Sequence, residues 1–362
     1  MTDKIKKFIE CLIPISACNL KCHYCYVIQY NARENKIPEL KYEPQFIAKA
    51  LSKKRMGGTC LINLCGKGET LLCKNIVEIA EALLNEGHYI NITTNGTITS
   101  QFEKFMKLPK GLREKLQFAF SLHYIELKNK NLLNDFINNV KMMKREGFSI
   151  CVQFNMCDEY VPYLQEIKDI CLENFKALPQ IALTRDETSD EIKIFSKLSN
   201  EDYKKLGDEF ESPLWDYTNK NFLVKRHEFC YAGDWTFRMN LYTGQMARCY
   251  FEGYTQNIYE NIDKPIWTLP VGHKCKMKYC FNSSHFMSLG VMPDIKGISY
   301  SELRNRKCTD GTCWQMPKMQ SFLSTKLYDN NQRLKKEEKN KLELLFNKIQ
   351  IKLRIKKYKK SK

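Results

Sequence analysis

Three cysteines near the N-terminus, Cys18, Cys22 and Cys25, stand three and then two residues apart in the segment CNLKCHYC. Three thiolates on one short loop can reach three corners of an iron-sulfur cubane. A [4Fe–4S] cluster normally takes four thiolates, so three leave one iron open to another ligand. Zinc is the competing occupant, but a closed zinc site needs a fourth Cys or His, and His23 is the one candidate within the segment.

Other polar segments follow at the ends of β-like runs. GKGETLL spans Gly66 to Leu72, where glycine permits close backbone approach and Glu69 offers a carboxylate to an ammonium. TTNGT spans Thr93 to Thr97 and reads as a turn. FSLHY places Ser121 and His123 at a strand end, His123 as an acid-base group or a satisfied core histidine.

Together these segments resemble the radical S-adenosylmethionine (SAM) superfamily, through C-x3-C-x2-C with an aromatic before the last cysteine, a glycine-rich stretch ending in Glu, and a TNG turn. The resemblance implies that SAM chelates the open iron and is split reductively to methionine and a 5′-deoxyadenosyl radical, which abstracts hydrogen from a substrate. It assigns Cys18, Cys22 and Cys25 to the cluster. Tyr24 is expected near the adenine, with Gly68, Glu69, Asn95 and Ser121 around the rest of SAM. Lys67 and Thr70 depart from the family's usual glycine and proline, and His123 replaces an acid.

A second set of cysteines begins with CYAGDWTFRMNLYTGQMARC, from Cys230 to Cys249, with Gly244 at a turn, and continues with Cys275 and Cys280 in CKMKYC. This region resembles a SPASM or twitch extension, in which a β-hairpin gathers thiolates. Four thiolates suffice for one auxiliary [4Fe–4S] cluster, and they also suit zinc. Cys308 and Cys313 are alternative ligands, a redox pair or, by default, ordinary cysteines. His285, Arg304 and Arg306 lie in segments too polar for anonymous core and are candidate substrate contacts. Cys11, Cys60, Cys65, Cys73, Cys151 and Cys171 fall in apolar stretches as small core hydrophobes, while Cys157 has no evident partner.

The elements that must position these residues alternate. Runs at Phe8 to Ser16, Cys60 to Cys65, Tyr89 to Thr94, Leu116 to His123, Ser149 to Asn155 and Gln180 to Thr184 read as strands, with amphipathic stretches between them. That pattern predicts an α/β fold, a partial (β/α)6 TIM-type barrel whose site lies at the strand C-terminal ends. The expected division is a radical SAM core over 1–186, a connector over 187–228, a smaller cysteine-rich domain with a β-hairpin over 229–320, and a basic amphipathic helix over 321–362.

The chain has 362 residues, 43% apolar and 27% charged, which excludes disorder throughout. Sixteen cysteines without an export signal argue for reduced thiols, and no apolar run is long enough to span a membrane, so a cytoplasmic location is expected. Of the net charge of +17, ten units come from residues 333–362, with thirteen Lys or Arg against three Glu. Leu342, Leu345, Phe346, Ile349 and Leu353 recur there at helical spacing, so this tail caps the body, lies on an anionic membrane or meets a partner. The leading expectation is a radical SAM enzyme acting on a peptide or protein side chain, served by a flavodoxin- or ferredoxin-like electron donor. Sugars, other small metabolites and RNA are the alternative substrates, with nucleic acid not favoured. The rival outside enzymology is an iron-sulfur electron carrier or metal-stabilised interaction module without SAM chemistry.

Overall fold

The structure is a computed structural model and describes residues 3–188, 193–250, 253–273, 275, 277, 279–280 and 283–360. Six strands arise where the sequence alternation places them: β1 (Lys7–Ile13), β2 (Cys60–Gly66), β3 (Tyr89–Thr94), β4 (Leu116–Ser121), β5 (Ser149–Met156) and β6 (Gln180–Leu183). Each pairs in parallel with the next in chain order. Their near-continuous burial fits parallel strands covered on both faces. The runs predicted to end at Ser16 and His123 stop at Ile13 and Ser121, because the chain turns there into the loops that carry the site.

Side chains alternate between the two faces of the sheet. Ile9, Ile62 and Ile90 share one core with the covering helices, among them Ile76–Asn85, Leu133–Arg145 and Leu164–Phe175. Phe8, Leu61 and Tyr89 face the other way, into a second core built with Phe286, Leu289, Tyr300, Leu303 and Phe322. Tyr89 stacks on Phe322 at 3.8 Å between ring centroids. An amide ladder crosses this inner face: Gln315 donates to Gln117, Gln117 to Asn91 and Asn91 to Asn63, at 2.8, 3.0 and 2.6 Å. The inside of the partial barrel is therefore filled by the C-terminal third of the chain.

The sheet does not close. A hairpin of β9 (Thr236–Asn240) and β10 (Gln245–Ala247), with β11 (Tyr254–Asn257) beyond it, continues the sheet past β1, giving the order β11-β10-β9-β1-β2-β3-β4-β5-β6. A two-stranded sheet of β7 (Arg185–Asp186) and β8 (Lys193–Ile194) follows β6. Gly244 makes the β9–β10 turn with φ of 73°, a region open to glycine without cost. β9 is parallel to β1, so the predicted cysteine-bearing hairpin is part of the same sheet.

Residues 317–331 pack on the body, with Leu323 and Leu327 buried and Asn330 and Asn331 donating to the carbonyls of Ile5 and Lys6 at 3.0 and 2.9 Å. The basic helix begins only at Lys336 and runs to Lys360. Leu345 and Ile349 of the predicted apolar stripe are exposed on it, as is Leu344 beside them, so the barrel does not cover these residues. No helix among the described residues is long and apolar enough to cross a membrane.

Candidate active site

The cysteine loop leaves the C-terminal end of β1. Cys22 is buried and Cys18 and Cys25 are half-buried. Cys25 donates its N–H to the Cys22 carbonyl at 3.0 Å and caps the short helix Tyr26–Gln29. Arg33 donates to the Cys18 carbonyl and, at 3.0 Å, to that of Leu20, which fixes the loop's outer turn. The three thiols interact electrostatically, and burial pushes the Cys18 and Cys22 thiols up. A single ion with bonds of about 2.3 Å would draw its sulfur ligands to roughly 3.8 Å apart. Among the described residues, only His23, Cys157 and Glu159 bring three ligand atoms within 4.8 Å of one another. Cys18, Cys22 and Cys25 are not drawn together to that degree, and His23 faces the Cys157 and Glu159 side, 3.0 Å from the Glu159 carboxylate.

Two loops lock this one in place. Gly68 donates its N–H to the Ile15 carbonyl at 2.7 Å and Glu69 to that of Ala17 at 2.9 Å. A Cβ at residue 68 would lie 2.0 Å from the Ala17 carbonyl oxygen, so glycine is required for one loop to lie on the other. The Glu69 carboxylate, 2% exposed, accepts from the N–H groups of Leu71 and Asn95 at 2.9 and 2.7 Å and from the Thr94 hydroxyl at 2.6 Å. Burial pushes its pKa up, and these three donors offset only part of that rise. Asn95 donates to the Asn19 side chain at 2.8 Å, and Asn19 donates to Thr97 at 2.8 Å, closing the link back to the cysteine loop.

These residues surround a cavity of about 120 Å³ lined by Cys18, Cys22, Cys25, Gly68, Glu69, Asn95 and Ser121. Every residue expected at the cluster and SAM except Tyr24 lines it. A second cavity of about 470 Å³ lies against it, and the two share Cys25 and His123. Tyr24 lines the larger one, buried, with hydrogen bonds of 2.7 Å to His123 Nδ1 and 2.9 Å to the Tyr160 hydroxyl. Burial lowers the pKa of His123 to about 4, so the ring between the cavities is neutral.

Residues 12–169 match the model of the Radical SAM superfamily. That stretch carries a radical SAM domain. No curated protein matches its sequence. Streptococcus suis SuiB bound to S-adenosylmethionine shares the fold at a TM-score of 0.50 and 17% identity, over 72% of this chain and 65% of SuiB. The chain thus spans just under two-thirds of that protein's length. Native anSMEcpe with bound AdoMet aligns with a TM-score of 0.50 and 15% identity, over 70% of this chain and 78% of the other.

The second cysteine set lies beside the larger cavity. The Cys230 backbone pairs with Gly272, at 3.2 and 2.9 Å, just ahead of Cys275. The Cys230 thiol, pushed up chiefly by burial, also feels Cys249, Cys280 and Cys275. Cys280 itself lines the cavity.

The other candidates separate. Cys308 and Cys313 flank a turn beside Phe175 and the start of β5, at the far end of the strands from the cysteine loop, and both are free thiols. Arg306 ties together the carbonyls of Pro179, Phe210 and Glu211 at 2.8, 3.0 and 2.6 Å, a structural brace. Arg304 and His285 do line the larger cavity. Sequence reading missed Arg33, Tyr160, Gln153 and Tyr250. Gln153 had a signal, since Ser149, Cys151, Gln153 and Asn155 share one face of an alternating strand.

Proposed function

We propose that the chain is a radical SAM enzyme that abstracts hydrogen from a peptide or protein side chain held in the larger cavity, next to SAM in the smaller one. The observation that carries the reading is the shared wall: Cys25 and His123 belong to both cavities, so a substrate in one adjoins a cofactor in the other. The likeness to SuiB bound to its precursor peptide SuiA, at a TM-score of 0.50, supports a peptide.

Cys18, Cys22 and Cys25 would hold a [4Fe–4S] cluster, which when bound supplies the electron that splits SAM into methionine and a 5′-deoxyadenosyl radical. Glu69 and Asn95 tie the SAM loops to the cysteine loop, and Gly68 lets them meet. His123, neutral and hydrogen-bonded through Tyr24 to Tyr160, stands at the boundary where it can hold a proton on Nδ1 or pass one to the substrate side. Cys230, Cys249, Cys275 and Cys280 would hold the auxiliary [4Fe–4S] cluster, with Cys280 in the cavity wall, and that cluster when bound would supply an acceptor for the electron that a substrate radical loses on becoming product. The reductant is a low-potential flavodoxin- or ferredoxin-like donor.

The test is anaerobic turnover in deuterated candidate substrates. Deuterium in 5′-deoxyadenosine from labelled peptide, and none from labelled sugars, meets the expectation. Transfer from a small metabolite alone overturns the peptide reading.

A further inference from the structure

The larger cavity is walled mostly by neutral groups, including Tyr26, Asn155, Thr184 and Tyr250. Arg185 is there too, but its guanidinium sits 2.7 Å from the Glu187 carboxylate. Arg304 is different. It ends the short helix Tyr300–Arg304, which is fixed by a reciprocal cap between Ser299 and Glu302. From there it reaches the cavity at only 4% exposure.

Its partners are neutral. One terminal nitrogen donates to Gln153 Oε1 and the other lies 3.3 Å from His285 Nε2, while the guanidinium stands 5.3 Å from the Tyr300 ring centre. His285 is fixed by the Tyr300 hydroxyl at 3.1 Å from Nδ1, and burial and Arg304 hold its pKa well below the usual value, so it acts as an acceptor. Among the described residues no carboxylate oxygen lies within 4.0 Å of Arg304. Glu10 acts on it only from farther away, and burial favours that carboxyl's neutral form.

A buried guanidinium without an anion is costly, and the arrangement becomes favourable when an anion arrives. The Arg304 Nε–H is buried without a hydrogen-bond partner, and a guanidinium presents its N–H groups in the planar fork that a carboxylate accepts. Phosphate, with more charge and more oxygens, would call for further cations, and Arg185 is already paired. SAM's own carboxylate is not the occupant, because Arg304 does not line the smaller cavity, where Arg33 stands.

We propose that Arg304 is the substrate-anchoring residue of the larger cavity and that the substrate presents a carboxylate to it, an acidic side chain or the C-terminus of a peptide. The proposal rests on the cavity being the substrate site. Gln153 and His285 then orient the guanidinium, and the anchored carboxylate sets which hydrogen faces the boundary at Cys25 and His123.

The experiment is equilibrium binding to the anaerobic, cluster- and SAM-loaded full chain. Three probes differ only in which carboxyl is free: N-acetylisoglutamine has a side-chain carboxylate, N-acetylglutamine an α-carboxylate, and N-acetylglutamine amide neither. One acid should bind at least about tenfold tighter than the diamide, and Arg304→Met should erase that preference. The favoured isomer names the source. Should Arg304→Met fail to fold, Arg304→Lys, which keeps the charge but loses the paired donors, must weaken the acid and leave the diamide unchanged. Equal binding of acids and diamide, no binding of either acid, methyl phosphate binding tighter than both, or unchanged preference in the folded variants overturns the proposal. Formation of 5′-deoxyadenosine by the wild-type protein without any probe is measured separately, so loss of the radical SAM reading is distinguishable from loss of the anchor.

Discussion

Glu69→Gln should loosen the site at its centre. The wild-type carboxylate takes three donors, Leu71 N–H and Thr94 hydroxyl on one oxygen and Asn95 N–H on the other. A glutamine can keep its oxygen toward the first pair, which turns its NH2 group onto the Asn95 N–H. One hydrogen bond to a charged acceptor is lost, about 1.5–3 kcal/mol, and a buried donor is left facing another donor. With an unfolding entropy of about 2.1 cal/mol/K per residue, 362 residues give roughly 0.8 kcal/mol/K, so the melting temperature should fall by about 2–4 °C. SAM affinity should fall by about tenfold or more, because Asn95 and the cysteine loop move together through Asn19. Thermal melts of the cluster-free chain and equilibrium dialysis of SAM with the reconstituted protein measure the two effects. A variant with wild-type melting and wild-type SAM affinity would refute the claim that Glu69 joins the loops.

Three more outcomes follow from the same structure. Gly68→Ala forces a Cβ against the Ala17 carbonyl, so it should lower stability by about 1–3 kcal/mol and abolish SAM binding, and normal SAM binding in a folded variant contradicts the close approach. His88 is buried between the Cys60 N–H and the Leu51 carbonyl, with its pKa held down to about 4 by burial, so the unfolded chain binds its proton first. Stability should therefore drop by about 3 kcal/mol as pH falls from about 6.5 to about 4, and denaturant titrations should show that slope reduced in His88→Gln, whereas an unchanged slope counts against it. Cys230→Ala should lower the iron content by about four atoms per chain and remove one of two cluster signals in electron paramagnetic resonance, and an unchanged iron content speaks against the auxiliary cluster.

Most of the lining of the smaller cavity was legible in the sequence because each part is a short segment at the end of one strand. Cys18, Cys22, Cys25, Gly68, Glu69, Asn95 and Ser121 converge simply because parallel strands put those ends on one side. The uses of the residues were harder to see. Gly68 turns out to meet backbone and Glu69 to accept three protein donors, facts set by how two loops lie on each other. Tyr24 faces the larger cavity because its hydroxyl finds His123 and Tyr160, contacts across 99 and 136 residues that no local pattern encodes. The role of the C-terminal third was the least readable. Tyr300, Leu303 and Phe322 carry ordinary helical spacing, which does not say that they fill a barrel left open by missing strands.

The proposed function requires the cysteine loop to open a metal site onto the smaller cavity. The direct measurement is 5′-deoxyadenosine formation from SAM by anaerobically reconstituted, reduced protein, in wild type and in Cys22→Ala. Wild type should release 5′-deoxyadenosine and methionine, and the variant should release none while losing the iron bound at that loop. Cleavage at the wild-type rate by Cys22→Ala, or no cleavage by iron-loaded wild type, would contradict it.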